Sequence, residues 1–129
     1  MKVRNASEVQ PDTEIPGVAL RTVISARDGA PRFSMRVFEV EAGGSTPFHS
    51  HPWEHEVFIL QGRGKVRGAQ GERALQPNDV VFLAEGEEHC FTNTGRDLLR
   101  FICCIPHAPS QAGVHPSAAP AEEGPACEG

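Results

Sequence analysis

Three histidines fall within seven residues in His49-Ser-His51-Pro-Trp-Glu-His55, and a fourth, His89, stands in a second strand-like segment. Neutral imidazole carries a nitrogen lone pair near physiological pH, which makes histidine the commonest metal-ligating side chain. Along an extended strand, side chains two residues apart point to the same face. His49 and His51 can therefore aim both rings at one ion. His55 lies six positions beyond His49, shares its parity, and can rejoin that face after a turn at Pro52. The chemistry on offer is metal binding through nitrogen.

The elements that must position these rings are short. Glycine and proline punctuate the chain every eight to twelve residues, and the intervening segments are rich in Val, Ile and Phe. Strands are expected near Ala19–Ser25, Phe33–Glu41, Thr46–His51, Glu56–Gln61, Gly64–Arg67, Glu72–Leu75, Val80–Leu83, His89–Asn93 and Leu98–Ile105. Only Ala6-Ser-Glu-Val-Gln hints at a helical turn, which Pro11 stops. Leu75-Gln-Pro-Asn-Asp-Val reads as a tight turn in which Asn78 tolerates a left-handed conformation. Many short strands with regular turn signals point to an all-β sandwich or barrel.

The 129 residues support one domain with a core of ordinary size. Residues 1–107 are expected to form it. From residue 108 onward Ala, Pro, Gly, Ser and Glu dominate, and a disordered tail is expected over 108–129. His107 and His115 lie beside or within that stretch and are not expected to bind metal. A net charge of -5, with only two lysines and no basic cluster, argues against a nucleic-acid partner. No apolar run spans a bilayer and no signal-peptide core opens the chain, so a cytoplasmic location is the default. Cys90, Cys103, Cys104 and Cys127 contain no C-x-x-C pair and are expected as free thiols.

The motifs carry a family resemblance. Gly43-Gly-Ser-Thr-Pro-Phe-His49-Ser-His51 resembles the first cupin motif, a glycine, five residues and then His-x-His. The second motif runs Gly-x5-Pro-x-Gly-x2-His-x3-Asn; here Asn78 stands at the first glycine and Ala84 at the proline, while Gly86, His89 and Asn93 match. The resemblance covers about residues 15 to 106. It implies a double-stranded β-helix, a single-domain jelly-roll barrel with a metal inside.

One departure concerns the glutamate that cupins ordinarily supply after His-x-His, six residues before a glycine. Counting back from Gly62 puts His55 at that position, whereas a spacing of four after His51 selects Glu56. Parity favours His55. The strings Phe33-Ser-Met-Arg-Val-Phe and His51-Pro-Trp-Glu-His-Glu also resemble the small cupins that use four histidines and bind manganese. The implied ligands are His49, His51, His55 and His89, holding one divalent transition metal. Manganese or iron lead, with nickel, copper and zinc as alternatives and a closed tetrahedral zinc site among them.

Around the ion, Phe48, Trp53, Phe91, Phe101 and Cys103 are the candidate pocket residues. Arg36, Glu54 and Cys103 are the candidates for catalysis. Arg36 interrupts an apolar strand: the simpler expectation is a solvent-facing side chain, the alternative an inward cation that attracts a carboxylate or enolate. Asn93 is expected either beside the metal ligands or in a turn before Thr94-Gly95. With all four histidines used as ligands, no general base remains. The expected function is a dioxygenase-type oxidation of a small oxygen-bearing substrate; a ligand-binding module and an isomerase or lyase using Glu54 are the alternatives. Phe58 and Leu60 oppose Val57 and Ile59 in parity, so both faces of one strand are apolar and a homodimer is expected.

Overall fold

The computed structural model describes residues 1–107, and the expected tail over 108–129 lies outside the described residues. Eight strands follow one another: β1 Val18–Ile24, β2 Phe33–Val40, β3 His55–Gln61, β4 Gly64–Gly68, β5 Gly71–Leu75, β6 Val80–Leu83, β7 Cys90–Asn93 and β8 Leu99–Pro106. They form two antiparallel sheets, β1-β2-β8-β3-β6 and β5-β4-β7. The chain is an all-β jelly-roll barrel.

Period-two alternation builds the core between the sheets. On β8, Leu99, Phe101, Cys103 and Ile105 are buried while Arg100, Ile102 and Cys104 are only half-buried. These inward residues join Val40, Val57, Ile59, Val66, Leu75, Leu83 and Phe91 from the other strands in one cluster. Full burial of one such side chain is worth about 1.5–3 kcal/mol. Register then fixes which interior side chains meet: Arg36 on β2 lies opposite Cys103 on β8, which lies opposite Val57 on β3.

Two turns need unusual backbone. Gly62 has φ +88, and a Cβ there would stand 2.3 Å from the Leu98 carbonyl oxygen, so only glycine fits. Asn78 is left-handed at φ 77, as its place in the turn before β6 requires.

The expected strand Thr46–His51 differs. It runs beside β7 only through isolated pairings, Ser45 with Thr92 and His49 with His89. Pro47 removes one donor from the ladder, and the Thr46 hydroxyl accepts the Phe91 N–H at 2.8 Å in place of a backbone partner. The turn near Ala6 is a short 3-10 helix, Ala6–Glu8, capped by Asn5. A second, Ala26–Asp28, was not foreseen. Ser25 and Asp28 form its capping box and Gly29 closes it at φ 89.

Candidate metal centre

Backbone pairing brings the two histidine-bearing segments together. The His49 N–H donates to the His89 carbonyl at 3.1 Å, and the His89 N–H returns to the His49 carbonyl at 2.9 Å. The His51 carbonyl accepts the Gly86 N–H at 2.6 Å, tying the next residue to the same turn. The chain then reverses through Pro52 and enters β3 at His55, which pairs with Leu83 of β6. His51, His55 and His89 are buried and His49 half-buried.

The four rings converge. Ring centres are 4.5 Å apart for His49–His51, 4.7 Å for His55–His89, 5.2 Å for His49–His89 and for His51–His55, and 6.2 Å for His51–His89. With metal–nitrogen bonds of about 2.1 Å, two imidazoles on one ion have ring centres roughly 4.5 Å apart at right angles and about 6.5 Å apart when opposed. All five separations fall in that span. Among the described residues no three His, Cys, Asp or Glu side chains already stand in a metal-holding arrangement. The fit therefore rests on ring spacing and donor chemistry. Nδ1 of His49 and Nδ1 of His55 are buried without a hydrogen-bond partner, and such atoms mark a place where a water or ion belongs.

Protonation suits ligation. Burial first, then the charges of His89 and Arg36, lowers His49 to about 4. Burial, His49 and Arg36 lower His51 to about 3, and burial, His89 and Arg36 lower His55 to about 2. His89 is also lowered by burial, against the opposing hydrogen bond and charge of Glu87. All four rings are neutral at pH 7, with lone pairs available. On His89 the tautomer is fixed: Nδ1 bonds the Glu87 carbonyl at 2.8 Å, and a carbonyl only accepts, so Nε2 holds the lone pair. The Glu87 carboxylate braces this turn by accepting from the N–H groups of Ala84 and Ala69 at 3.3 and 3.1 Å.

Arg36 is inward, against the simpler expectation of a solvent-facing side chain. It is 7% exposed, donates from Nη2 to Cys103 Sγ at 3.1 Å, and holds its guanidinium over the Phe38 ring at 5.1 Å. Phe38, Phe101 and Phe91 stack in series, at 5.0 Å and then 4.6 Å between ring centres, and Phe91 meets His89 edge-on at 6.3 Å. Phe91, Phe101 and Cys103, the candidate pocket residues, are buried in the hydrophobic core. Phe38 was missed, although it shares the parity of Arg36. Burial raises the Cys103 thiol, so it stays protonated. Trp53 stacks on His51 at 4.6 Å and packs against the core.

Phe48 and Glu54 lie elsewhere than expected, and Asn93 takes the second of its two expected places. Phe48 faces away from its neighbour His49 and packs beneath the Arg67 guanidinium at 4.6 Å. Glu54 and Glu56 are exposed. Partial desolvation, then a hydrogen bond with Glu54 and its charge, raises Glu56 to about 7. Neither carboxylate is placed as a base for the interior. Asn93 belongs to the turn: its Nδ2 donates to the Val40 and Asp97 carbonyls, each at 2.8 Å, and its Oδ1 accepts from Gly95 N–H at 2.9 Å. Among the described residues, Cys103 and Cys104 are free thiols, as expected.

Comparison with known proteins agrees with this fold. The chain is similar to the polyketide cyclase RemF from Streptomyces resistomycificus, at 31% identity and TM-score 0.78, covering 95% of this chain and 84% of that one. A predicted oxalate decarboxylase from Thermotoga maritima aligns at 25% identity and TM-score 0.72, covering 83% of this chain and all of the other. Among curated proteins, the 1-methylthio-D-xylulose 5-phosphate methylsulfurylase of Rhodospirillum rubrum is 31% identical over 86 residues, 62% of this chain and 55% of that protein. The oxalate-binding protein of Thermotoga maritima is 34% identical over 64 residues, 49% of this chain and 53% of that protein. The chain therefore spans about half the length of these two curated relatives. Residues 36–105 match the cupin domain family, more than half of the chain, and the protein belongs to that family.

Proposed function

We propose that His49, His51, His55 and His89 hold one divalent transition metal, manganese or iron first, and that the protein is a metal-dependent enzyme acting on a small carbonyl-rich substrate. The observation that carries this reading is the convergence of four neutral imidazoles on the barrel interior, with ring centres 4.5–6.2 Å apart. A bound ion would supply Lewis-acid activation of substrate oxygens and, if redox-active, a route to dioxygen. The chain's own residues do the rest. The Glu87 carbonyl orients His89, the buried Phe38–Phe101–Phe91 stack keeps the interior apolar, and Arg36 places a fixed cation against Phe38.

Ring closure of a polycarbonyl substrate is the first reaction. It is favoured by the likeness to a polyketide cyclase along nearly the whole chain. Dioxygenase-type oxidation is the second reading. It is supported by the position of Glu54 and Glu56, which are exposed and leave the interior without a carboxylate base. Metal-reconstituted protein should be assayed with a panel of β-diketones and linear polyketones, following oxygen uptake and product mass together. A mass change by loss of water with no oxygen uptake supports ring closure, and stoichiometric uptake supports oxidation. Binding without turnover would reduce the protein to a ligand-binding module, the role in the name of the oxalate-binding relative.

A further inference from the structure

The interior carries a full positive charge that no carboxylate among the described residues neutralises. Arg36 is 7% exposed, yet no ion pair among the described residues includes it. Among the described residues its one hydrogen bond goes to the neutral sulfur of Cys103, and its Nε is buried without a partner. Burying a guanidinium without an anion costs several kcal/mol. Arginine as a mere packing element would be replaced more stably by methionine or leucine.

The shape of the surroundings narrows the anion. One face of the guanidinium is covered by the Phe38 ring at 5.1 Å. Its free donors therefore lie in the guanidinium plane, along the edge bearing Nε. That edge forms a fork suited to two coplanar oxygens. Beyond Phe38 the stack continues through Phe101 to Phe91, which reaches the edge of His89.

We infer that Arg36 is the anchor for a planar organic anion, a carboxylate or the enolate of a β-dicarbonyl, whose two oxygens pair with the Nε-bearing edge of the guanidinium. The inference deepens the reading of the interior as a substrate site and does not require that a metal be bound there.

The test is binding by metal-free and metal-loaded full-length protein, measured calorimetrically with benzoate, acetylacetone, inorganic phosphate and the uncharged isostere benzamide. Wild type should bind benzoate or acetylacetone and not benzamide. Arg36→Met should weaken that binding by about tenfold or more, the loss of a charge-assisted fork. Arg36→Lys should fall between, keeping the charge without the fork. Ligand-free Arg36→Met should also melt higher than wild type, because an uncompensated charge is gone, and should keep its metal content. Equal benzoate and acetylacetone binding by wild type and Arg36→Met would overturn the inference. So would a lower melting temperature in Arg36→Met with binding intact, or phosphate as the sole ligand, or no anion binding in either form of the folded protein. Anion binding by a protein that takes up no metal would sink the metal reading and leave this one standing.

Discussion

His49 and His89 exchange backbone hydrogen bonds in both directions, at 3.1 and 2.9 Å, so the first and second cupin motifs are locked residue against residue. The ring separation of 5.2 Å between them is therefore set by backbone and not by side-chain choice. His51 and His55 are then placed by the Gly86–His51 bond and by the start of β3. Bringing the four imidazoles together in this way carries the energetic cost of burying them.

That cost should be visible as pH dependence of the metal-free protein. Burial holds His49, His51 and His55 near 4, 3 and 2, below the ordinary value of 6.5. The unfolded chain thus binds more protons than the folded one below about pH 6.5, and folding is increasingly penalised as pH falls. Above pH 6.5 these groups contribute nothing. Thermal melts of metal-free protein should show a plateau near pH 7–8 and a decline toward pH 5. His55→Gln should show a shallower decline, and an unchanged slope would contradict the assignment.

Gly62→Ala should cost about 3 kcal/mol or more, because the new methyl meets the Leu98 carbonyl at 2.3 Å in a left-handed backbone. Gly71→Ala is the control. It shares a positive φ, +102, but has open space around it, and about 1 kcal/mol of backbone strain is expected. Urea melts of the two variants compare them directly, and equal midpoints would refute the packing argument.

Asn93→Ala should destabilise by about 2–4 kcal/mol, since two carbonyls and one N–H lose their partner in a buried turn. Metal content should be unchanged. A selective loss of metal with full stability would return Asn93 to the neighbourhood of the ligands.

Association is expected through the outer face of the five-stranded sheet. Phe58, Val80 and Phe82 there are 40, 74 and 65% exposed, and Phe58 lies directly opposite Val80. Light scattering should give twice the 13.9 kDa chain mass, and Phe82→Glu should shift the species toward monomer. A monomer for wild type at micromolar concentration would refute the dimer.

Much of this was legible in the residues because parity is an exact property of a strand. The odd register of His49, His51 and His55 anticipates three inward rings, and Asn78 anticipates its own left-handed turn. Parity failed where both faces of a strand are apolar. On β2, Met35 and Val37 compete with Phe38 and Val40, so the sequence alone does not say which way Arg36 points. Cys103 held the missing signal, because a polar side chain in phase on β8 meets Arg36 across the ladder. Phe48 misled for the opposite reason: closeness in sequence to His49 means the other face. The strand expected over Thr46–His51 failed because Pro47 and the Thr46 hydroxyl replace ladder bonds that composition cannot count.

The most direct test of the four-imidazole centre is metal analysis of protein purified without chelating resin. About one equivalent of divalent transition metal per chain is expected for wild type and for Glu56→Ala, and a loss of about tenfold or more for His55→Ala. A full equivalent in folded His55→Ala, or no uptake by wild type after reconstitution with manganese, iron, nickel, copper or zinc, would contradict it.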